Sequence, residues 1–449
     1  MTMNLYADLL VTGGAVYTAD PARPWGEAVA VREGRILAVG RASDLAEFRG
    51  PNTVITNLAG KLLLPGFTES HIHFIELALR AAQVDATEAR SAGEVVDLVR
   101  ARVDLAGAPK SDRWIRGGGW NANIWTDGVT PHRDLLDAVA PETPVALDSK
   151  ALHAVWVNSV ALRIAGIDAT TPDVPGGIIE RDVDGVPTGI LHENAVDLVA
   201  RCYPKPDLTE TSAAVRVATP SMWATGIVAL HNANDSCDGL AFRTYQELRC
   251  RGELGLRVLQ QFPVCNLDHL RAIGLRSGLG DAWLRVGGVK MFADGALGSR
   301  TASMLQPYVD EPDNWGVAAT DPEEMLEQAL AASAAGLSLT IHAIGDRANR
   351  DVLNVLTEVR RQEANRRSQM ADSRWQMAVT DNQPSSSVYG PSSLRHRIEH
   401  VQCIHPDDLP RLAQLDIVAS VQPIHATSDR LIVDRYWGCL LYTSPSPRD

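Results

Sequence analysis

No apolar stretch in this 449-residue chain approaches the roughly 20 residues that span a bilayer, and residues 1–8 lack a basic segment leading into an apolar one. Both absences speak against a membrane or secreted protein and predict a cytoplasmic location. Six cysteines (202, 237, 250, 265, 403 and 439) lie far apart with no C-x-x-C pair. That spacing argues against a disulfide framework and against a thiolate zinc site, and predicts core thiols. No Lys/Arg stripe with interleaved aromatics is present, and a formal net charge of −13 repels phosphate backbones, which excludes nucleic acid as an expected partner. Disorder is excluded as well, because 45% hydrophobic and 22% charged residues is globular composition.

What is present reads as two parts. Residues 1–60 carry short β segments, with Gly34 in Arg32-Glu33-Gly34-Arg35 supplying a hairpin turn, and form part of a small β domain. From residue 61 to 438, apolar strand runs alternate with helical stretches, the order that builds a parallel sheet or (β/α) barrel. Strands are predicted over 62–67, 144–147, 226–230, 257–261, 286–292, 338–341, 397–401 and 417–421, not all of them in the barrel. Residues 110–195, with Gly117-Gly118-Gly119-Trp120, exceed one βα unit and predict a pocket-forming insertion. The polar segment 364–393 has neither hydrophobic period and predicts a loop.

The first chemical signal is Ser70-His71-Ile72-His73 after the run 62–67. In a strand, residues i and i+2 share a face, so His71 and His73 aim at one point, as half a metal site would require. Two solvated histidines are the plain alternative. In 286–294 alternation puts Lys290, Phe292 and Asp294 on the face opposite Val289 and Met291, which directs Lys290 into a barrel. His342 shares a face with Ser338 and Thr340, and His400 with Ile398 and Gln402. Alone, either histidine is more often a satisfied structural residue than a ligand, and a lysine there usually signifies an ion pair or a snorkelled surface cation.

Together with Pro65-Gly66-Phe67, the lysine run from Val289 to Arg300, His342-Ala-Ile-Gly-Asp346 and Ile398-Glu-His400-Val-Gln402, these segments resemble the amidohydrolase superfamily, in the branch of N-substituted formamide deformylase. The resemblance implies an α/β fold, a (β/α)₈ TIM-type barrel with a β-sandwich built from both chain ends. It implies two divalent metal ions, zinc first, with manganese, iron or cobalt also compatible with the donors. His71 and His73 would bind one metal, and His342 and His400 the second. Lys290 would bridge them as a carboxylated lysine, because an ammonium would repel both ions. The implied activity is cleavage of a non-peptide C–N bond, amide or formamide, by metal-activated hydroxide, with a small-molecule amide as substrate. A non-catalytic barrel scaffold or regulatory protein, and a deaminase or isomerase at the same metals, are the alternatives. Association with further copies of the chain stays open. His153, Asp294, Arg300 and His425 match positions near the substrate; core packing for His153, rim filling for His425 and a loop ion pair for the other two are the plain readings. Trp120 and Glu193 also match, with packing as the reading for both.

The family's eighth strand, with its metal-binding aspartate and general base, has no counterpart in the 28 residues after Val421. Neither Asp429 nor Asp434 is assigned as the base, so the catalytic base stays unassigned. The barrel is expected to be incomplete and the sandwich to lack its C-terminal half. Residues 439–449 resemble translated adapter sequence and are expected to be a non-native or disordered tail. The isolated chain is expected to be poorly soluble or inactive, because an unclosed barrel leaves strand edges unpaired.

Overall fold

A computed structural model describes residues 5–81, 83–106, 114–125, 128–150, 154–175, 177–233, 236–298, 300–309, 311–378 and 394–438. The expected tail at 439–449 lies outside these residues. The chain divides into two compact units, 1–68 with 225–229, and 69–224 with 230–449.

The smaller unit holds a four-stranded sheet in the order Arg35–Gly40, Ala28–Arg32, Leu9–Thr12 and Val54–Asn57, and a three-stranded sheet of Trp25–Gly26, Ala15–Tyr17 and Leu62–Leu63. Glu33 and Gly34 both have positive φ (51° and 70°), as a two-residue hairpin turn between antiparallel strands requires. Leu62 and Leu63 pair with Ala15 and Val16. The predicted strand 62–67 is therefore two elements, interrupted at Pro65-Gly66; His71 belongs to the second, and His73 follows directly after its end.

That second element is β1, Phe67–Ile72. With β2 (Ile227–Asn232), β3 (Arg257–Pro263), β4 (Leu284–Phe292), β5 (Ser338–Ala343), β6 (Arg397–His400) and β7 (Val418–Ser420) it forms a seven-stranded sheet in sequential order. Pairings from β3 to β7 are parallel. The fold is an incomplete TIM-type barrel with a small β domain. Outward residues of the strands, Val289, Met291, Leu339, Ile341 and Ile398, join one apolar layer with Met325 and Ala329 of helix α1 (Pro322–Ala334) and Val352, Leu353, Leu356 and Val359 of helix α2 (Asp346–Ala378). Helix α2 runs through residues 364–378, which corrects the loop expected there; its Leu353, Leu356 and Val359 repeat at helical spacing, and the helix extends beyond this apolar stripe into polar sequence. Residues 379–393 lie outside the described set.

The region between β1 and β2 in the chain folds as a six-stranded mixed sheet, in the order Gly177–Arg181, Pro187–Glu193, Ala154–Val157, Val145–Ser149, Ile115–Trp120 and Val84–Asp85. The strand predicted at 144–147 thus belongs to this sheet and not to the barrel. A Cβ at Gly117 would meet the Val84 carbonyl oxygen at 2.3 Å, so the glycine run permits close strand approach.

A further correction concerns the cysteines. Cys237 and Cys265 form a disulfide with a Cα separation of 6.0 Å, joining the segments that follow β2 and β3. The 28-residue sequence separation hides a neighbourhood that adjacent parallel strands create. Of the free thiols, Cys403 alone is fully buried among the described residues; Cys202 is half-buried and Cys250 exposed, against the expectation of core thiols.

Candidate functional site: a histidine cluster at the carboxyl ends of the strands

Four histidines meet where β1, β5 and β6 end. The ring of His71 lies 5.6 Å from that of His73 and 4.7 Å from that of His400, and His342 lies 4.7 Å from His400, all as edge contacts between centroids. His425 lies 5.6 Å from His400. The carboxyl ends of barrel strands are where such folds gather their chemistry.

Alternation accounts for His342, whose strand neighbours Leu339 and Ile341 face the helices while Thr340 donates inward to Gln261 Oε1 at 3.0 Å. It does not account for His400. Strict alternation would send that ring outward with Ile398, which is fully buried in the apolar layer. Instead His400 and Val401 adopt positive φ, 73° and 46°, and this left-handed turn swings the imidazole into the cluster. Non-glycine residues pay on the order of 1–3 kcal/mol each for such backbone, a cost that concentrates at functional sites.

Each ring nitrogen with an assigned contact meets an oxygen. His71 Nδ1 lies 2.6 Å from Glu399 Oε2, His400 Nδ1 2.6 Å from Gln422 Oε1, and His342 Nε2 2.9 Å from the Gly295 carbonyl. Burial, with His342 and His71 nearby, pushes His400 down to about 3, so this imidazole is neutral at physiological pH. Burial would raise Glu399, but hydrogen bonds from His71 and Arg397 hold its carboxyl at about 2.

Lys290 is fully buried on β4, with Nζ 3.4 Å from the centroid of Phe292, whose ring in turn lies 5.3 Å from His342. Asp294 is fully buried and accepts backbone N–H groups of Ser303, Ile344 and Gly345 at 2.9, 3.0 and 2.8 Å; burial raises it to about 6 against those bonds. Its Oδ1 also lies 3.6 Å from His342 Nε2. Arg300 pairs with Glu311 at 2.5 Å and lies over Tyr436. His425 Nδ1 lies 2.6 Å from Asp429 Oδ2, which also accepts from Gln402 at 3.0 Å. Trp120 is buried and donates to the Leu147 carbonyl at 2.7 Å, while Glu193 is exposed at a strand end. His153 lies outside the described residues.

Sequence reasoning missed Arg397, Glu399 and His231. The signal for the first two is the pattern Arg397-Ile398-Glu399, two charges on one face of an otherwise apolar strand, which burial favours only where they are paired; His231 has no such signal.

Three of the imidazoles suit a divalent cation in their donor chemistry: where an oxygen takes the proton of one ring nitrogen, the other carries the lone pair, and carboxylate or amide partners fix that choice. Geometry falls short of this chemistry. As the side chains stand, no three or more His, Cys, Asp or Glu among the described residues are arranged to hold a metal ion.

A parallel barrel with imidazoles gathered at its strand ends defines a barrel of the metal-dependent hydrolase type. The model of the Amidohydrolase family matches residues 54–438, and the chain belongs to that family. It is similar to Protein LONG AFTER FAR-RED 3 of Arabidopsis thaliana, 34% identical over 435 residues that cover 95% of this chain and 70% of that protein. It is 28% identical over 373 residues to N-substituted formamide deformylase of Arthrobacter pascens, covering 80% of this chain and 67% of that protein. The crystal structure of an uncharacterized metal-dependent hydrolase from Pyrococcus furiosus superposes with a TM-score of 0.72 at 25% identity, covering 95% of this chain and 79% of that one. No helix among the described residues is long and apolar enough to cross a membrane.

Proposed function

We propose that the protein is a metal-dependent hydrolase acting on the C–N bond of small, non-peptide amides, formamides foremost. The observation that carries this reading is the meeting of His71, His342 and His400 at the strand ends with ring protons committed to oxygen acceptors. The similarity to a formamide deformylase supports the substrate class. His71, His73, His342 and His400 would hold two divalent ions, with Lys290, carboxylated by carbon dioxide with loss of a proton, as an anionic ligand between them. A divalent ion supplies Lewis-acid polarisation of a carbonyl and acidifies water to a pKa of about 7.

The chain's own residues supply placement. Asp294 ties the segment after β4 to the turn after β5 through three backbone N–H groups, which fixes the ground on which His342 stands. His425, oriented by Asp429, lies beside His400 at the rim and would contact the substrate.

The rival reading is a non-catalytic barrel scaffold, favoured by the absence of a preformed metal-holding group among the described residues. Purified protein assayed for bound metal and for turnover of a panel of N-substituted formamides and simple amides, before and after chelation, tests both. Metal-dependent turnover that chelation abolishes and zinc restores is expected. Bound metal without turnover of any amide would favour the scaffold, and protein that takes up no divalent metal would overturn the hydrolase reading.

A further inference from the structure

Arg397, on the interior face of β6, reaches β1, β2 and β7 with a single side chain. A guanidinium has five N–H donors and no acceptor. Nε and Nη2 grip both oxygens of Glu399, the second at 2.9 Å. The backbone carbonyl oxygen of Ser70 on β1 and Ser420 Oγ on β7 also lie 2.6 Å from Nη2, so its two N–H groups are shared among three acceptors. Nη1 lies 2.7 Å from Nδ1 of His231 on β2. Because guanidinium only donates, His231 Nδ1 must accept, and the ring proton of a neutral His231 is on Nε2. Glu399 shows the opposite polarity. A carboxylate paired with guanidinium only accepts, so a neutral His71, whose Nδ1 lies 2.6 Å from Oε2, carries its proton on Nδ1 and its lone pair on Nε2.

We infer that Arg397 and Glu399 are positioning residues that impose opposite tautomers on two histidines, presenting the Nε2 lone pair of His71 to a divalent cation and making His231 a hydrogen-bond donor at Nε2. The cation half of the inference rests on the metal-dependent reading; the tautomer half stands without it. One ion pair thus sorts chemically identical rings into a ligand and a donor, which neither ring's own position in its strand decides.

Nitrogen-15 labelling of histidine reports each ring's tautomer in metal-stripped protein through long-range proton–nitrogen spectra, with His71→Gln and His231→Gln assigning the signals. Wild-type protein is expected to show His71 protonated on Nδ1 and His231 on Nε2. In Glu399→Gln an amide oxygen still accepts, and His71 keeps its tautomer. In Glu399→Ala it loses that preference, and zinc affinity, measured in chelator-buffered titrations, falls about 10- to 100-fold. Should Glu399→Ala fail to fold, the paired variant Arg397→Met with Glu399→Leu, which leaves no unmatched buried charge, carries the same measurement. A role confined to tying strands together would lower thermal stability in these variants and leave both tautomers unchanged, and that result overturns the inference. His71 protonated on Nε2 in the wild-type protein overturns it equally. The expected tautomers in protein that binds no zinc would uphold tautomer control while overturning its cation half together with the hydrolase reading.

Discussion

The barrel interior and the mixed sheet between β1 and β2 are both buried, yet they are filled on opposite principles. The mixed sheet closes on Val145, Leu147, Val155, Trp156, Val157 and Leu191, all fully buried, where each side chain stabilises in proportion to the area and volume it fills. The barrel interior buries Gln261, Lys290, Thr340, Arg397 and Glu399. Its side chains are held by particular partners: Thr340 donates to Gln261 Oε1 at 3.0 Å, and Arg397 donates to Glu399 Oε2 at 2.9 Å. An apolar core forgives a smaller residue by partial collapse, whereas a polar interior that loses one member leaves the others desolvated and unpaired.

The sharpest way to break this contrast is Arg397→Met, which preserves length and apolar contact but leaves Glu399 without its counter-ion. A loss of about 3–5 kcal/mol in urea unfolding is expected, and adding Glu399→Leu should recover part of it. Recovery fails if the arginine acts merely by filling space. In the mixed sheet, Leu147→Ala should cost about 2–5 kcal/mol with no such rescue by a second polar deletion. Next comes Glu363, on helix α2 and outside the barrel, which accepts from buried His396 at 2.9 Å, Arg360 at 2.9 Å and Ser333 at 2.8 Å. Burial alone would raise this carboxyl, but those bonds hold it down to about 2 from 4.5. Its folded value lies below its unfolded one, so its contribution is complete above about pH 4.5 and is lost as pH falls toward 2. Glu363→Gln should remove on the order of 2–3 kcal/mol at neutral pH and flatten the acid limb of the stability profile, as followed by thermal unfolding across that range. A flat wild-type profile would show that partnered polar groups matter inside the barrel alone. Smallest is Ile190→Val in the mixed sheet, about 0.5–1.5 kcal/mol by the same urea measurement and independent of pH.

The barrel was legible because its strands are apolar on the outward face, as at Val289 and Met291, with polar residues such as Lys290 and Thr340 directed inward. Other features were not, for reasons that differ. The run from Leu62 to Phe67 reads as one strand, but Pro65-Gly66 breaks it and hands its leucines to Ala15 and Val16 in another sheet. Residues 364–378 lack an apolar stripe yet continue a helix whose other face is buried earlier in its length, since propagation costs far less than nucleation. The Cys237–Cys265 bond joins residues that only the register of parallel strands brings together. At the site, His71 and His342 follow from their place in a strand, whereas His400 reaches the cluster through a left-handed backbone that no pattern of residue types announces.

Asp294 gives the rim a dynamic character. Its carboxylate holds N–H groups of Ser303, nine residues on, and of Ile344 and Gly345, fifty and fifty-one residues on. Gly345 makes the convergence sterically feasible, since a Cβ there would meet the Ser303 carbonyl oxygen at 1.9 Å. Three amides held by one carboxylate share one set of bonds to break, so hydrogen exchange at Ser303, Ile344 and Gly345 is expected to report a single opening event.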